Sequence, residues 1–148
     1  MNHDEYPQDY LAEILAEVKT IAMVGASADD TKFSYGVLRV LSETGYDMIP
    51  VNPNEAGTEI RGMHCYDALS SIDRPVDMVQ IFRSSAAALE TTLEAIDIGA
   101  KVVWMQLGVR NDEAARRAEE AGLKVVMNRC PKIELFRPFW KPRLNQPI

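Results

Sequence analysis

A doubly wound α/β fold, with a mostly parallel five-stranded sheet and helices on both faces, is predicted by three features of this 148-residue chain. Short apolar runs recur at residues 21–24, 48–51, 76–82, 102–105 and 125–127. Segments with helical apolar spacing alternate with them, the pattern of βα units joined by right-handed crossovers. The third run is apolar almost throughout, as a parallel strand covered on both faces requires.

The elements follow in order. Residues 10–19 form a lead-in helix in which Leu11, Ile14, Leu15 and Val18 share one face. Strand one then breaks at Gly25-Ala26-Ser27. Ser34 is placed to cap a helix whose Val37, Leu38 and Leu41 form its apolar face, and Gly45 ends it. Met48-Ile49-Pro50-Val51 is the second strand, and Pro50, which has no amide donor, points to an edge strand or to one whose unpaired side faces a loop. Residues 54–75 read as loop with a short helix near 66–70. After strand three a helix starts from Ser84 or Ser85, carries Leu89, Leu93 and Ile96 on one face, and stops at Gly99. Strand four follows at 102–105. Asn111 caps an alanine-rich helix through Ala114, Ala115, Ala118 and Ala121, Gly122 ends it, and strand five completes the sheet. The tail from Pro131 carries three further prolines with Phe136, Phe139 and Trp140, and reads as extended and docked through its rings. The length suits one domain over residues 1–148.

Composition narrows the function. With 47% hydrophobic and 26% charged residues and a net charge of −6, the chain has the balance of a soluble protein without a nucleic-acid or anionic-membrane surface. Any phosphate must therefore be held locally. No apolar run is long enough to span a bilayer, and the polar opening Met1-Asn2-His3-Asp4-Glu5 does not resemble a signal peptide, so a cytoplasmic location is expected. Cys65 and Cys130 are too few for a disulfide framework or a metal knuckle, and no metal site is expected.

In an open parallel sheet the ligand crevice lies beyond the C-terminal strand ends. Here those ends read Gly25-Ala26-Ser27, Asn52-Pro53-Asn54, Arg83-Ser84-Ser85, Gln106-Leu107-Gly108 and Asn128-Arg129-Cys130-Pro131. A dinucleotide site would want Gly-x-Gly-x-x-Gly after strand one and a carboxylate closing strand two. Only Gly25 precedes Asp29, and the second strand ends in Asn52-Pro53-Asn54, which disfavours NAD. A P-loop is excluded because no Gly-Lys-Ser or Gly-Lys-Thr follows strand one. What remains is a phosphate-bearing ligand with an adenosine-like end, held by Ser27, the loop amides and the following helix terminus. Lys32, Arg83, Arg129 and Lys132 supply positive charge at the rim, and Arg83, fixed between a strand and a helix, is the preferred contact.

Val24-Gly25-Ala26-Ser27, Ser34-Tyr35-Gly36, Ile49-Pro50-Val51-Asn52-Pro53, Ile81-Phe82-Arg83, Val103-Trp104-Met105-Gln106-Leu107-Gly108 and Asn128-Arg129-Cys130-Pro131 together resemble the small CoA-binding proteins of Rossmann-like fold. These are akin to the nucleotide-binding domain of the succinyl-CoA synthetase alpha subunit. The resemblance covers roughly residues 20–135. It implies CoA across the strand ends, with its phosphates over Gly25, Ala26 and Ser27 and its adenine side near Asn52, Pro53 and the Phe82-Arg83 turn. The pantetheine arm would run toward Gln106 and Leu107, and Lys32, Ser34, Tyr35 and Asn128 complete the implied contact set. The family often carries a lysine after the Asn-Pro turn to meet the ribose phosphate, whereas this chain has Asn54, which leaves Lys32 or Arg83 to serve.

The full synthetase needs a phosphorylated histidine and a partner domain. His3 and His64 fall in a terminal segment and a loop and read as ordinary surface or packing histidines. The expected function is non-catalytic binding of CoA or an acyl-CoA, as carrier, sensor or regulatory partner. The alternative is an NAD(P)-dependent oxidoreductase, or an acyl-CoA-handling enzyme completed by a partner subunit. Cys130, beside Arg129, reads as a buried spectator, with a mixed disulfide to the CoA thiol as the sharper alternative. The aromatic stretch from Phe136 to Trp140 offers a homodimer contact.

Overall fold

The computed structural model describes residues 1–136. Strands β1 (Thr20–Val24), β2 (Asp47–Val51), β5 (Met78–Ile81), β6 (Val102–Met105) and β7 (Lys124–Val126) form a parallel sheet in the order β2-β1-β5-β6-β7. Strands β3 (Glu59–Ile60) and β4 (Met63–His64) make a small antiparallel hairpin inside the stretch that reads as loop. Two-residue strands are too short to register as apolar alternation. Helices α1 (Gln8–Glu17), α2 (Phe33–Thr44), α3 (Ala88–Asp97) and α4 (Asp112–Glu120) complete the βα order. Among the described residues no helix is long and apolar enough to cross a membrane.

Strand alternation divides the core into two layers. On one face Val24, Ile49, Val79, Ile81, Val103 and Val125 pack with the alanines of α3 and α4. On the other, Ile21, Met23, Met48, Met78, Trp104 and Val126 meet Leu11, Ile14 and Leu15 of α1 and Val37, Leu38 and Leu41 of α2. The doubly wound expectation is met: α1 and α2 cover one face and α3 and α4 the other.

Both sheet edges are protected, by different chemistry. Pro50 lies on edge strand β2, as its missing donor predicts, and its carbonyl accepts from the Tyr66 amide at 3.0 Å on the outer side. At the β7 edge the Tyr10 hydroxyl donates to the Val125 carbonyl at 2.9 Å and accepts from the Val125 amide at 3.1 Å. The Tyr6 hydroxyl accepts from the Met127 amide at 2.8 Å. Unpaired edge groups are templates for aggregation, and these hydroxyls occupy them. Burial pushes the Tyr10 hydroxyl up to about 12, against the lowering effect of its bond to Val125. Tyr10→Phe should therefore cost about 1 kcal/mol at neutral pH, read by urea denaturation. A raised value favours the folded state only while the hydroxyl stays protonated. The gap between the two proteins should therefore be full below pH 10, the ordinary tyrosine value, and close as pH rises toward 12.

Asn111 caps α4 as expected, its Oδ1 accepting from the Ala114 amide at 2.9 Å, and Gly45 ends α2 at φ +120°. Three expectations need correction. Helix α2 begins at Phe33 with Lys32 in the cap position and no side-chain cap, so Ser34 lies inside the first turn. Helix α3 begins at Ala88, because Ser84 is spent on a preceding turn in which its Oγ accepts from the Ala87 amide. The segment from Pro131 is helical over residues 131–136 and not extended. Proline is well suited to a first helical position, and the Glu134 amide closes this turn on the Cys130 carbonyl at 3.0 Å. Phe139 and Trp140, invoked for a dimer contact, lie outside the described residues.

Candidate functional site

The chain steps outward from β1 to β2 and then crosses back to lay β5 on the other side of β1. Crevices open at such switch points. A cavity of about 450 Å³ stands here, walled by Val24 and Gly25 from β1, Asn52, Pro53 and Asn54 from β2, and Phe82, Arg83, Ser84 and Ala87 beyond β5.

Gly25 lets these three strand ends meet. Its φ of +94° is one that L side chains rarely adopt, and its amide donates to the Val51 carbonyl at 2.9 Å. A Cβ at this position would overlap the Phe82 carbonyl oxygen and lie 2.9 Å from its carbon. The Asn52 side chain ties two walls together, with Nδ2 donating to the Ala26 carbonyl at 2.8 Å and Oδ1 accepting from the Asn54 amide at 2.9 Å. Asn52 thus positions the wall with both of its polar atoms.

Arg83 differs from most arginines here. Arg39, Arg61, Arg74, Arg110, Arg116 and Arg117 each pair with a carboxylate. Arg83 has none among the described residues; its Nη1 leans on Thr91 Oγ1 at 3.4 Å, leaving most of its donor fork open toward the cavity. Arg129 also lacks a carboxylate, but its guanidinium is held over the Tyr6 ring at 5.1 Å and bonds the Asn128 carbonyl. Lys132 Nζ lies 5.3 Å over the exposed Phe33 ring.

The structure brings Gly25, Asn52, Pro53, Phe82 and Arg83 to one cavity. Other implied contacts sit elsewhere. Ala26 is fully buried with its methyl in the core, Ser34 is buried, and Tyr35 lies beneath the Arg61 guanidinium at 5.9 Å. Ser27 Oγ accepts from the Asp29 amide in a local turn, keeping its own proton free to donate, and Lys32 is exposed at the start of α2. Gln106 is sealed at 2% exposure and is not part of the cavity wall; its Oε1 accepts from Gln80 Nε2 at 3.1 Å, while its own Nε2 has no partner among the described residues. Leu107 is 47% exposed farther along the rim. Asn128 adopts φ +58° and its Oδ1 accepts from the Gly108 amide at 2.7 Å, stapling the β6 and β7 ends. Cys130 is buried in the core layer of α1 and α2.

A groove of about 630 Å³ between the first residues and α4 is larger. Its charges already answer one another: Arg110 pairs with Asp4 and Asp112, and Arg116 with Glu113 and Glu120. His3 bridges Tyr6 and Glu119 there, a packing role. Among the described residues, the switch-point cavity alone of the two has a guanidinium without a carboxylate in its wall.

A family model described as a CoA binding domain matches residues 19–135. The chain belongs to the CoA binding domain family. The succinyl-CoA synthetase alpha-like resemblance read from the strand-end motifs is borne out by this match. The Bacillus subtilis protein YneT is 36% identical over 123 residues, covering 83% of this chain and 90% of its own. A solved structure of a hypothetical protein from Pyrococcus horikoshii OT3 is 38% identical with a TM-score of 0.85, over 93% of this chain and 95% of that one. The acetate–CoA ligase [ADP-forming] II subunit alpha of Pyrococcus furiosus is 27% identical, and its match takes in 74% of this chain but 26% of the ligase subunit.

Two residues of this CoA binding domain escape sequence reasoning. Phe33, at the first position of α2, is 52% exposed and lies 6.3 Å from the Phe82 ring. Glu55 carries no spacing signal at all. Its carboxylate accepts from the Ala28 amide at 2.7 Å, a contact created only when the β1 and β2 loops are brought together.

Proposed function

We propose that this chain binds CoA or an acyl-CoA across the C-terminal ends of β1, β2 and β5 without transforming it, as a carrier, sensor or regulatory partner. The observation that carries this reading is Arg83, a guanidinium with no carboxylate among the described residues, in the wall of the switch-point cavity of a CoA binding domain. In the partly desolvated crevice it meets phosphate through charge-assisted bonds. The missing Cβ at Gly25 lets the β1 loop close on the Phe82 carbonyl, the diphosphate lies over that loop, and Asn52 and Pro53 form the adenine side. Asn54 carries no charge, so Arg83 takes the ribose phosphate. The pantetheine arm passes the exposed Leu107 and not the buried Gln106.

Catalysis by this chain alone lacks support from the cavity wall, which among the described residues contains no histidine, carboxylate, lysine or thiol to move a proton. Ser84 Oγ accepts from the Ala87 amide, and among the described residues no histidine or carboxylate joins it in that wall. A second reading is favoured by the acetate–CoA ligase match: the chain would serve as the CoA-holding part of an enzyme completed by other subunits. Calorimetric titration with CoA and dephospho-CoA, followed by incubation with acetyl-CoA, ADP and phosphate, separates these readings. Binding with CoA preferred and no turnover is expected. Turnover by the isolated chain would contradict the non-catalytic reading.

A further inference from the structure

We infer that Glu55 is an internal stand-in for the ligand's phosphate: its carboxylate holds the Ala28 amide of the β1–α2 loop in the free protein and must leave for CoA to bind. The inference rests on the CoA reading of this crevice and adds a self-blocking contact to it. Most loop amides with a hydrogen-bond partner are satisfied by neighbouring backbone or local side chains. Gly25 and Ala26 donate to the Val51 carbonyl, Asp29 to Ser27 Oγ, and Thr31 to Asp29 Oδ1. Ala28 alone donates to an anion from another strand end, at 2.7 Å. An amide that holds a carboxylate is also suited to a phosphate oxygen, since both are charged acceptors.

Glu55 is built to release without disturbing the wall. Its backbone is fixed independently of the side chain, the amide donating to the Asn52 carbonyl at 3.1 Å and the carbonyl accepting from the Thr58 amide and hydroxyl. No cation pairs with its carboxylate among the described residues, so the Ala28 amide is what holds it in place. Arg83, with no carboxylate partner among the described residues, stands in the adjacent cavity wall, so an arriving CoA gains through its ribose phosphate a cation that Glu55 does not use. Bound ligand and seated carboxylate would also repel, since both are anions converging on one loop.

The test is calorimetric titration of the wild type, Glu55→Gln and Glu55→Ala with CoA. Thermal melts establish that each variant is folded, and the Ala28 amide is followed by nitrogen–proton NMR. Glutamine can still accept from the amide but neither repels phosphate nor holds as strongly as a charged acceptor, so E55Q should bind CoA about fivefold more tightly. Glu55→Ala should also bind more tightly, and the Ala28 amide should shift on CoA addition in all three proteins. If CoA binds the wild type but E55Q binds equally or more weakly, Glu55 is a strut of the site and the inference is overturned. No binding by the wild type or either variant would overturn the CoA reading, and the inference with it.

Discussion

Gly25→Ala is expected to lower the unfolding free energy by at least about 3 kcal/mol, with a melting temperature roughly 10 °C below wild type. Two costs combine. A φ of +94° is strained for any L side chain, and the new methyl would lie on the Phe82 carbonyl oxygen, which is backbone and cannot swing aside. The loop or the β5 end must shift, and either shift breaks the Gly25 amide bond to Val51 or the 2.8 Å bond from the Phe82 amide to the Val24 carbonyl. Because the same backbone walls the cavity, CoA affinity should fall even at temperatures where the variant remains folded. Urea denaturation and calorimetry measure the two losses separately. Unchanged stability would mean that the three strand ends do not close on Gly25 as described. Gly36 makes a useful contrast, since a Cβ there meets nothing within 4 Å.

Arg83→Ala carries the second large effect, on affinity and not on folding. The guanidinium is exposed and makes one long bond to Thr91, so its removal should leave the melting temperature near wild type. A charge-assisted contact to phosphate is worth about 1.5 to 3 kcal/mol, which corresponds to a loss of about 10- to 100-fold in CoA affinity. Dephospho-CoA should lose less if Arg83 takes the ribose phosphate. Arg83→Lys should recover part of the loss, because a point charge keeps the attraction without the planar fork. An equal loss for both ligands would instead place Arg83 on the diphosphate.

How much of this was legible beforehand depended on the range of the interactions involved. The alternation of strands and helices was readable because each strand buries side chains on both faces and each helix buries a stripe. Pro50 marked its edge because a missing donor is a property of one residue. Asn111 marked its cap for a similar reason. Ser34 misled because a good capping residue lay two positions past Lys32, where the helix actually turns, with no side chain capping it. Pro131 misled because proline both ends and begins helices, and only the Glu134 to Cys130 bond decides which.

The cavity was legible at its strand ends and obscure where partners come from afar. Gly25, Asn52, Pro53, Phe82 and Arg83 follow from topology, since every parallel strand delivers its C-terminal residue to the same rim. Gln106 does not follow: its placement depends on Gln80 of the neighbouring strand β5, and a buried polar residue looks in sequence like one lining a crevice. Whether an arginine is free or paired is invisible to spacing when its neighbours come from different elements. Arg74 reaches Asp47 and Arg110 reaches Asp4, while Arg83 reaches no carboxylate among the described residues.

The central claim, that the crevice at the β1–β5 switch point is a CoA site, is tested most directly by calorimetric titration of the purified chain with CoA beside NAD and ATP. Saturable binding of CoA, weakened in Arg83→Ala and absent or far weaker with NAD, is the predicted result. Binding of NAD with no heat from CoA would contradict it.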